Sequence, residues 1–338
     1  MLEHLTEYGI FLLKVATIVI GVMVVLGMII NAASRQKERK GELLIHNLSE
    51  SLTEIREKIS MELLNPKQRK KAHKAAKEAK KKAAEKPEQR LFVIDFEGSM
   101  DAHETESLRR EVTAILAVAK PGEDEVLLRL ESPGGVVHGY GLAAAQLQRL
   151  RDAGVKLTVS VDKVAASGGY MMACIGSKII AAPFAVVGSI GVLAQLPNFH
   201  RLLKKNNIDF EQITAGEYKR TLTLFGENTD KGREKFKEDI EGVHQLFKDF
   251  VVENRPSLDI NKVATGEIWY GKKALEQGLI DAIQTSDDVL LDAAKHREVF
   301  HVEYKAKPKL AERFSQGAQS AADRLIMNWV QRSRLWRW

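Results

Sequence analysis

The chain has 338 residues, a single cysteine and a net charge of +6. One cysteine excludes an intrachain disulfide framework, and no Cys/His cluster has metal-ligand spacing. The charge is local: residues 67–86 hold ten Lys/Arg against two Glu, and the remainder is near balance, which does not describe a nucleic-acid-binding chain.

Residues 1–8 form a short tail carrying Glu3 and Glu7, and 9–33 is an apolar run without charge from Val15 to Ile30. About 20 such residues span a bilayer core as a helix. Lys14 can snorkel to the interface. Asn31-Ala32-Ala33-Ser34 resembles a cleavage site, but acid without Lys or Arg ahead of the run is the reverse of a signal-peptide n-region. An uncleaved transmembrane anchor is therefore expected. Arg35, Lys37, Arg39 and Lys40 come directly after it, and the positive-inside rule places the chain beyond Ala33 in the cytoplasm.

Over 34–89, Ile45, Leu48, Leu52, Ile55, Ile59 and Leu63 recur at three- and four-residue steps, a heptad-like helix ended by Asn65-Pro66. The stripe suits either pairing between copies or an amphipathic helix lying on the membrane. The Lys/Ala-rich run after it has no apolar face and reads as a solvated linker. Attraction to anionic lipid is a secondary role for it. No aromatic side chain interrupts the run to stack on bases, so specific nucleic-acid binding is not expected.

A globular domain is expected over 90–305. Leu91–Phe96, Glu125–Leu130 and Lys156–Val161 read as buried strands, separated by a helix bearing Leu108, Val112, Ile115 and Leu116 and by one ending near Gly154. Strands alternating with helices predict an α/β domain with ligand-facing loops at the strand ends. Lys178–Ala181 and Val186–Val192 read as further short strands. A hydropathy window over Ala173–Leu196 has the look of a second span, but Lys178, Pro183 and the glycines favour buried strand core. A short basic helix past Pro197, a strand near Asp209–Thr214 and the loop Gly216–Arg220 come next. A long amphipathic helix from about Asp230 to Glu253 precedes shorter elements, closing on a strand over Val299–Tyr304. The tail 306–338 is helical in pattern. Its Trp329, Trp336 and Trp338 among Arg332, Arg334 and Arg337 suit a membrane interface, a partner groove or plain docking.

Ser167, in Ala165-Ala166-Ser167-Gly168-Gly169-Tyr170, comes after the third strand. It is either a helix cap or a nucleophile on a tight strand-to-helix turn. The glycines of Ser132-Pro133-Gly134-Gly135 have N–H groups suited to an oxyanion. His138 lies just past that loop, and His200 and His244 lie in helical stretches; none is a convincing base. Lys219 is the other candidate, and a lysine works as a base only when burial or a nearby cation keeps it neutral. Ser–Lys dyads are an accepted variant of the serine-nucleophile scheme. From these residues alone, a Ser–Lys site, a His-based site and no catalysis all stay open.

Taken together, Ser132–Gly135, Ala165–Tyr170, Gly188-Ser189-Ile190-Gly191 and Gly216-Glu217-Tyr218-Lys219 resemble the signal peptide peptidase A family of bacterial serine proteases. Their order and the 52-position step from Ser167 to Lys219 both fit. The resemblance implies a ClpP/crotonase-type α/β superhelix behind the anchor, with no cofactor. It implies a membrane-anchored serine endopeptidase cleaving peptides such as signal peptides or membrane-associated polypeptides. Ser167 would be the nucleophile, Lys219 the general base and Ser189 the serine that orients the lysine; Gly134, Gly135 and Gly168 match the oxyanion region. It further implies a ring or bowl of identical copies lining a shared groove, in the bacterial inner membrane. There the catalytic domain would face the periplasm, against the charge rule. The small apolar lining of Val186–Val192 predicts small or apolar side chains beside the cut. A non-proteolytic membrane assembly protein on the same fold is the competing reading.

Overall fold

Parallel pairing explains why so many segments of this chain are apolar without interruption. A computed structural model describes residues 41–65 and 89–305, with Lys14, Val15, Thr17, Gly21 and Gln68. The expected anchor, the Lys/Ala run and the C-terminal tail fall, those positions apart, outside the described residues. Among the described residues no helix is long and apolar enough to cross a membrane. Leu43–Tyr304 forms one compact unit; the other, 1–42 with 305–338, lies almost wholly outside the described residues.

The main sheet has seven strands: β1 (Glu42–Asn47), β2 (Arg90–Glu97), β3 (Glu125–Glu131), β4 (Lys156–Val161), β6 (Lys178–Ala181), β9 (Ala282–Ile283) and β10 (Glu298–Lys305). Their order is β1-β10-β2-β3-β4-β6-β9, and every pairing from β10 through to β9 is parallel. A parallel sheet is covered on both faces, so its strands lack the polar alternation of a half-exposed one. Leu91, Phe92, Val93 and Ile94 are accordingly all buried. Helix α1 (Leu48–Leu63) comes after β1, and α2 (Thr105–Leu116) and α3 (Val137–Asp152) come after β2 and β3. Leu108, Val112 and Ile115 on α2 and Leu147 and Leu150 on α3 are buried in one core with Phe92, Leu128 and Val159 of the strands.

A second, three-stranded sheet positions the candidate site. It consists of β5 (Val164–Ala166), β7 (Val186–Gly188) and β8 (Ile268–Tyr270), with β5 parallel and β8 antiparallel to β7. Buried helix α4 (Gly168–Ala173) leaves β5 directly. Helices α5 (His200–Lys205), α6 (Asp230–Asn254), α7 (Ile260–Val263), α8 (Gly271–Glu276) and α9 (Ser286–Ala293) complete the unit. Thr229 caps α6 by accepting the Gly232 N–H at 3.2 Å, and Phe247 and Val251 bury the helix's far half. Burial of such side chains stabilises by about 1.5–3 kcal/mol each.

Three expectations need correction. Ile45 lies on β1, not in the heptad-like helix: the open edge of β10 offers backbone partners that outweigh the spacing. The helix starts at Leu48, where Asn47 accepts the Glu50 N–H at 3.0 Å. Residues 209–214 form no strand; every one is exposed, and a strand needs a neighbour to bond. The strand expected over Val186–Val192 stops at Gly188, because Gly188 (φ +96°) and Ser189 (φ +51°) turn the chain. The reading of Ala173–Leu196 as buried strand core holds on β6, where Ile179 and Ile180 are fully buried, and fails at Leu193 and Leu196, which are exposed.

Candidate active site

Three loops far apart in sequence are laced together by backbone hydrogen bonds. Ser132 N–H donates to Val164 O at 2.8 Å, and Ala166 N–H returns a bond to Ser132 O at 3.0 Å. Ser167 N–H then donates to Gly188 O at 2.8 Å. The Ser132–Gly135 loop, Ser167 and Ser189 therefore stand side by side at the ends of adjacent chain segments.

Ser167 itself is strained. At φ 51°, ψ −117° it occupies a conformation that suits glycine, as does Ser189 at φ 51°. Such a backbone costs about 1–3 kcal/mol and concentrates at functional sites. It makes a sharp strand-to-helix turn that lifts the side chain clear of β5 and α4, the geometry of a nucleophile elbow. The capping alternative does not describe this hydroxyl: Ser167 takes the N-cap position of α4, but its side chain makes no cap hydrogen bond.

The glycines around it are set by close approach. Gly134 has φ +90°, and a Cβ there would stand 2.7 Å from that of Ser167. A Cβ on Gly168 would overlap the ring of Tyr140, and one on Gly135 would overlap the Met100 carbonyl. Beneath the loop runs a hydrogen-bond chain whose direction can be deduced. Tyr140 OH donates to the Ser99 carbonyl at 2.8 Å, so its one proton is committed. Ser132 Oγ, 2.5 Å from that hydroxyl, must donate to it and is left to accept the Gly134 N–H at 3.1 Å. Burial pushes the Tyr140 phenol above its ordinary pKa, which keeps that proton in place. Gly134 N–H is thus engaged, whereas Gly168 N–H, in the first turn of α4, has no acceptor within its helix.

These residues border a cleft of about 730 Å³. Its lining includes Gly134, Gly135, Ser167, Gly168 and Ser189, with Val136, Val137, Met171 and Val192 as apolar wall. Lys219 is not among them. It sits exposed in the turn after Gly216 and lines a separate depression of about 680 Å³ beside Phe210 and Phe225. Tyr140 and Phe247 also reach the cleft and were not singled out from sequence; His244, set aside there as a base, reaches it too. Phe247 and His244 belong to the helix-period pattern of α6, which marks a buried face without saying what that face borders.

The sequence matches known proteins along nearly all its length. Residues 3–147 match the N-terminal region of peptidase family S49, and 149–300 match peptidase family S49 itself. The chain is 51% identical over 338 residues to "Probable protease SohB" of Haemophilus influenzae, with 96% of each covered. The chain belongs to peptidase family S49. A second "Probable protease SohB", from Buchnera aphidicola subsp. Schlechtendalia chinensis, is 48% identical over 304 residues, 86% of this chain and 99% of the relative. "Protease 4" of Haemophilus influenzae is 25% identical over 208 residues, 60% of this chain but 34% of that protein. This S49 chain is by family a protease, as the four loops led one to expect. The seam between its two S49 matches, at 147–149, falls within α3.

Proposed function

We propose that the protein is a membrane-anchored serine endopeptidase whose active site is completed between copies, Ser167 of one chain meeting Lys219 of another. The observation that carries the nucleophile is the strained turn at Ser167, whose hydroxyl is free of any cap bond and borders the cleft. Neutral Lys219 takes the Ser167 proton as Oγ bonds to the scissile carbonyl carbon. The oxyanion is met by the N–H groups of Gly168 and Gly135, since Gly134 is held by Ser132. Collapse breaks the C–N bond, the lysine returns the proton to the leaving amine, and then activates the water that hydrolyses the acyl-enzyme. Ser189, which borders the same cleft, orients the lysine.

Two features support assembly. A base lysine must be shielded from water, and Lys219 is exposed in the single chain, so another copy has to supply the cover. The arm that carries it is built around Phe199, Phe210 and Phe225, yet leaves Leu193 79% and Ile213 95% exposed. A ring or bowl of copies on a ClpP/crotonase-type superhelix would bury that surface. The apolar cleft wall favours small or apolar side chains next to the cut, as in signal peptides and other membrane-associated polypeptides. The apolar run 9–33 is the anchor, in a bacterial inner membrane, and a reporter fused after Tyr304 reads which side the catalytic unit faces.

A fluorophosphonate probe tests the central claim. Mass spectrometry should find it on Ser167 of the wild type and not in Ser167→Ala. Peptide hydrolysis should vanish in Ser167→Ala, Lys219→Ala and Lys219→Arg, because arginine stays protonated. Full turnover by purified Lys219→Ala protein would remove the lysine from the mechanism. Absence of labelling on an assembled wild-type protein would favour the non-proteolytic reading.

A further inference from the structure

Helix α6 brings to the cleft one polar side chain that the reaction above leaves unused. His244 lines it together with Ser167 and Ser189, and its Nε2 is buried without a hydrogen-bond partner among the described residues. The other polar side chains of the lining are engaged or already assigned. Tyr140 donates to Ser99, Thr265 donates to Glu267 at 2.7 Å, and the two serines belong to the proposed chemistry. An imidazole nitrogen without a partner, between Val243 and Phe247, is unfavourable until something bound supplies one.

A peptide entering an apolar cleft has the matching need. Each backbone N–H and C=O leaves water and requires a partner inside. His244 stands on the cleft wall where such a group would lie. We propose that His244 is a substrate-binding residue, its ring hydrogen-bonding a main-chain group of the extended peptide that lies beside Ser167. The proposal rests on the protease reading for the cleft's occupant. Its position is firm because Phe247, one turn along α6, is buried in the core and keeps the helix from drawing back. Main-chain groups are the same in every peptide, so this bond sets how far a substrate slides along the cleft, not which side chains it carries.

The test uses the full chain and two variants. His244→Phe keeps a ring and loses the hydrogen bond; His244→Gln keeps a donor and an acceptor. The probe is a fluorescein-labelled decapeptide of alanine and leucine with lysine at each end, so that no side chain near its middle can bond the imidazole. Measured by anisotropy on Ser167→Ala protein, adding His244→Phe should weaken binding about tenfold, the effect of one lost desolvated hydrogen bond, and adding His244→Gln should restore most of it. In otherwise wild-type protein the loss should appear in KM, while labelling of Ser167 by a small fluorophosphonate changes by less than about twofold. Equal affinities of Ser167→Ala and Ser167→Ala/His244→Phe would overturn the proposal. So would labelling that falls in step with hydrolysis, since His244 would then be activating the serine. A wild type that neither hydrolyses peptide nor takes the label, while binding still depends on His244, would sink the protease reading and leave this one standing.

Discussion

Ser132 Oγ and the Tyr140 hydroxyl lie 2.5 Å apart, and the serine is the donor. That direction is set by the committed Tyr140 proton and makes the pair the hinge pin of the Gly134 loop. Tyr140→Phe keeps the ring under Gly168 but takes away the acceptor of the Ser132 hydroxyl proton and one of the two donors to the Ser99 carbonyl, which keeps the Ala102 N–H. It should lower unfolding free energy by about 1–3 kcal/mol, and kcat should fall with little change in KM. Urea unfolding of Tyr140→Phe, Ser132→Ala and the double variant should show a shortfall from additivity of about 1 kcal/mol. Additive losses would mean the two residues act separately.

Glycines at two places should respond to alanine with opposite signs. Gly168→Ala drives a methyl into the Tyr140 ring and should destabilise by about 1–3 kcal/mol or more, with loss of Ser167 labelling. Gly141, on α3, has nothing within 4 Å of a built Cβ. Gly141→Ala should stabilise by about 0.5–1 kcal/mol through helix propensity. Thermal melts of the two proteins side by side decide the matter.

If Lys219 acts on a neighbour's serine, two dead proteins can rescue each other. Ser167→Ala chains still carry the lysine and Lys219→Ala chains still carry the serine. Mixed under conditions that exchange subunits, they should recover up to about a quarter of wild-type hydrolysis, the statistical share of intact pairs in a head-to-tail assembly. No recovery, with exchange verified by tagged subunits, would place both residues in one chain's site or remove Lys219 from it.

Glu111 on α2 should make stability fall as pH rises. Burial raises its carboxyl from 4.5 to about 7, although the Tyr304 N–H donates to it at 2.7 Å. His301 lowers it, and Glu303 and Asp95 raise it further. The folded state therefore holds a proton that the unfolded chain releases. The stabilisation is complete below about pH 4.5 and is lost as pH climbs through about 7, on the order of 3 kcal/mol in all. Melting temperatures at pH 5 and pH 8 should differ less in Glu111→Gln than in wild type. An unchanged difference would show that another group sets the slope.

The parallel strands were legible because burial on both faces leaves an unbroken apolar signature, as Leu91–Ile94 displays. The loops that carry Ser132, Ser167 and Ser189 were legible because tight turns restrict composition. Ile45 was misplaced because a helical spacing over six residues says nothing about the free edge of β10, about 250 positions away. Lys219 was legible as a motif but not as a location; nothing in a local pattern says that it lies outside the cleft bordered by Ser167. His244 was set aside as a base, and Tyr140 went unmarked, for a related reason. Each looks like an ordinary member of an amphipathic helix until the fold sets a cleft against it.

The seam between the two S49 matches runs through the middle of α3, where Leu147 and Leu150 are fully buried. A gene fragment starting at Arg149 would encode Ser167, Ser189 and Lys219, yet β4 would lack β3 and Ser167 would lack both the Gly134 loop and Tyr140 beneath it. Neither half alone holds Ser167 together with the Gly134 loop and Tyr140 that flank it.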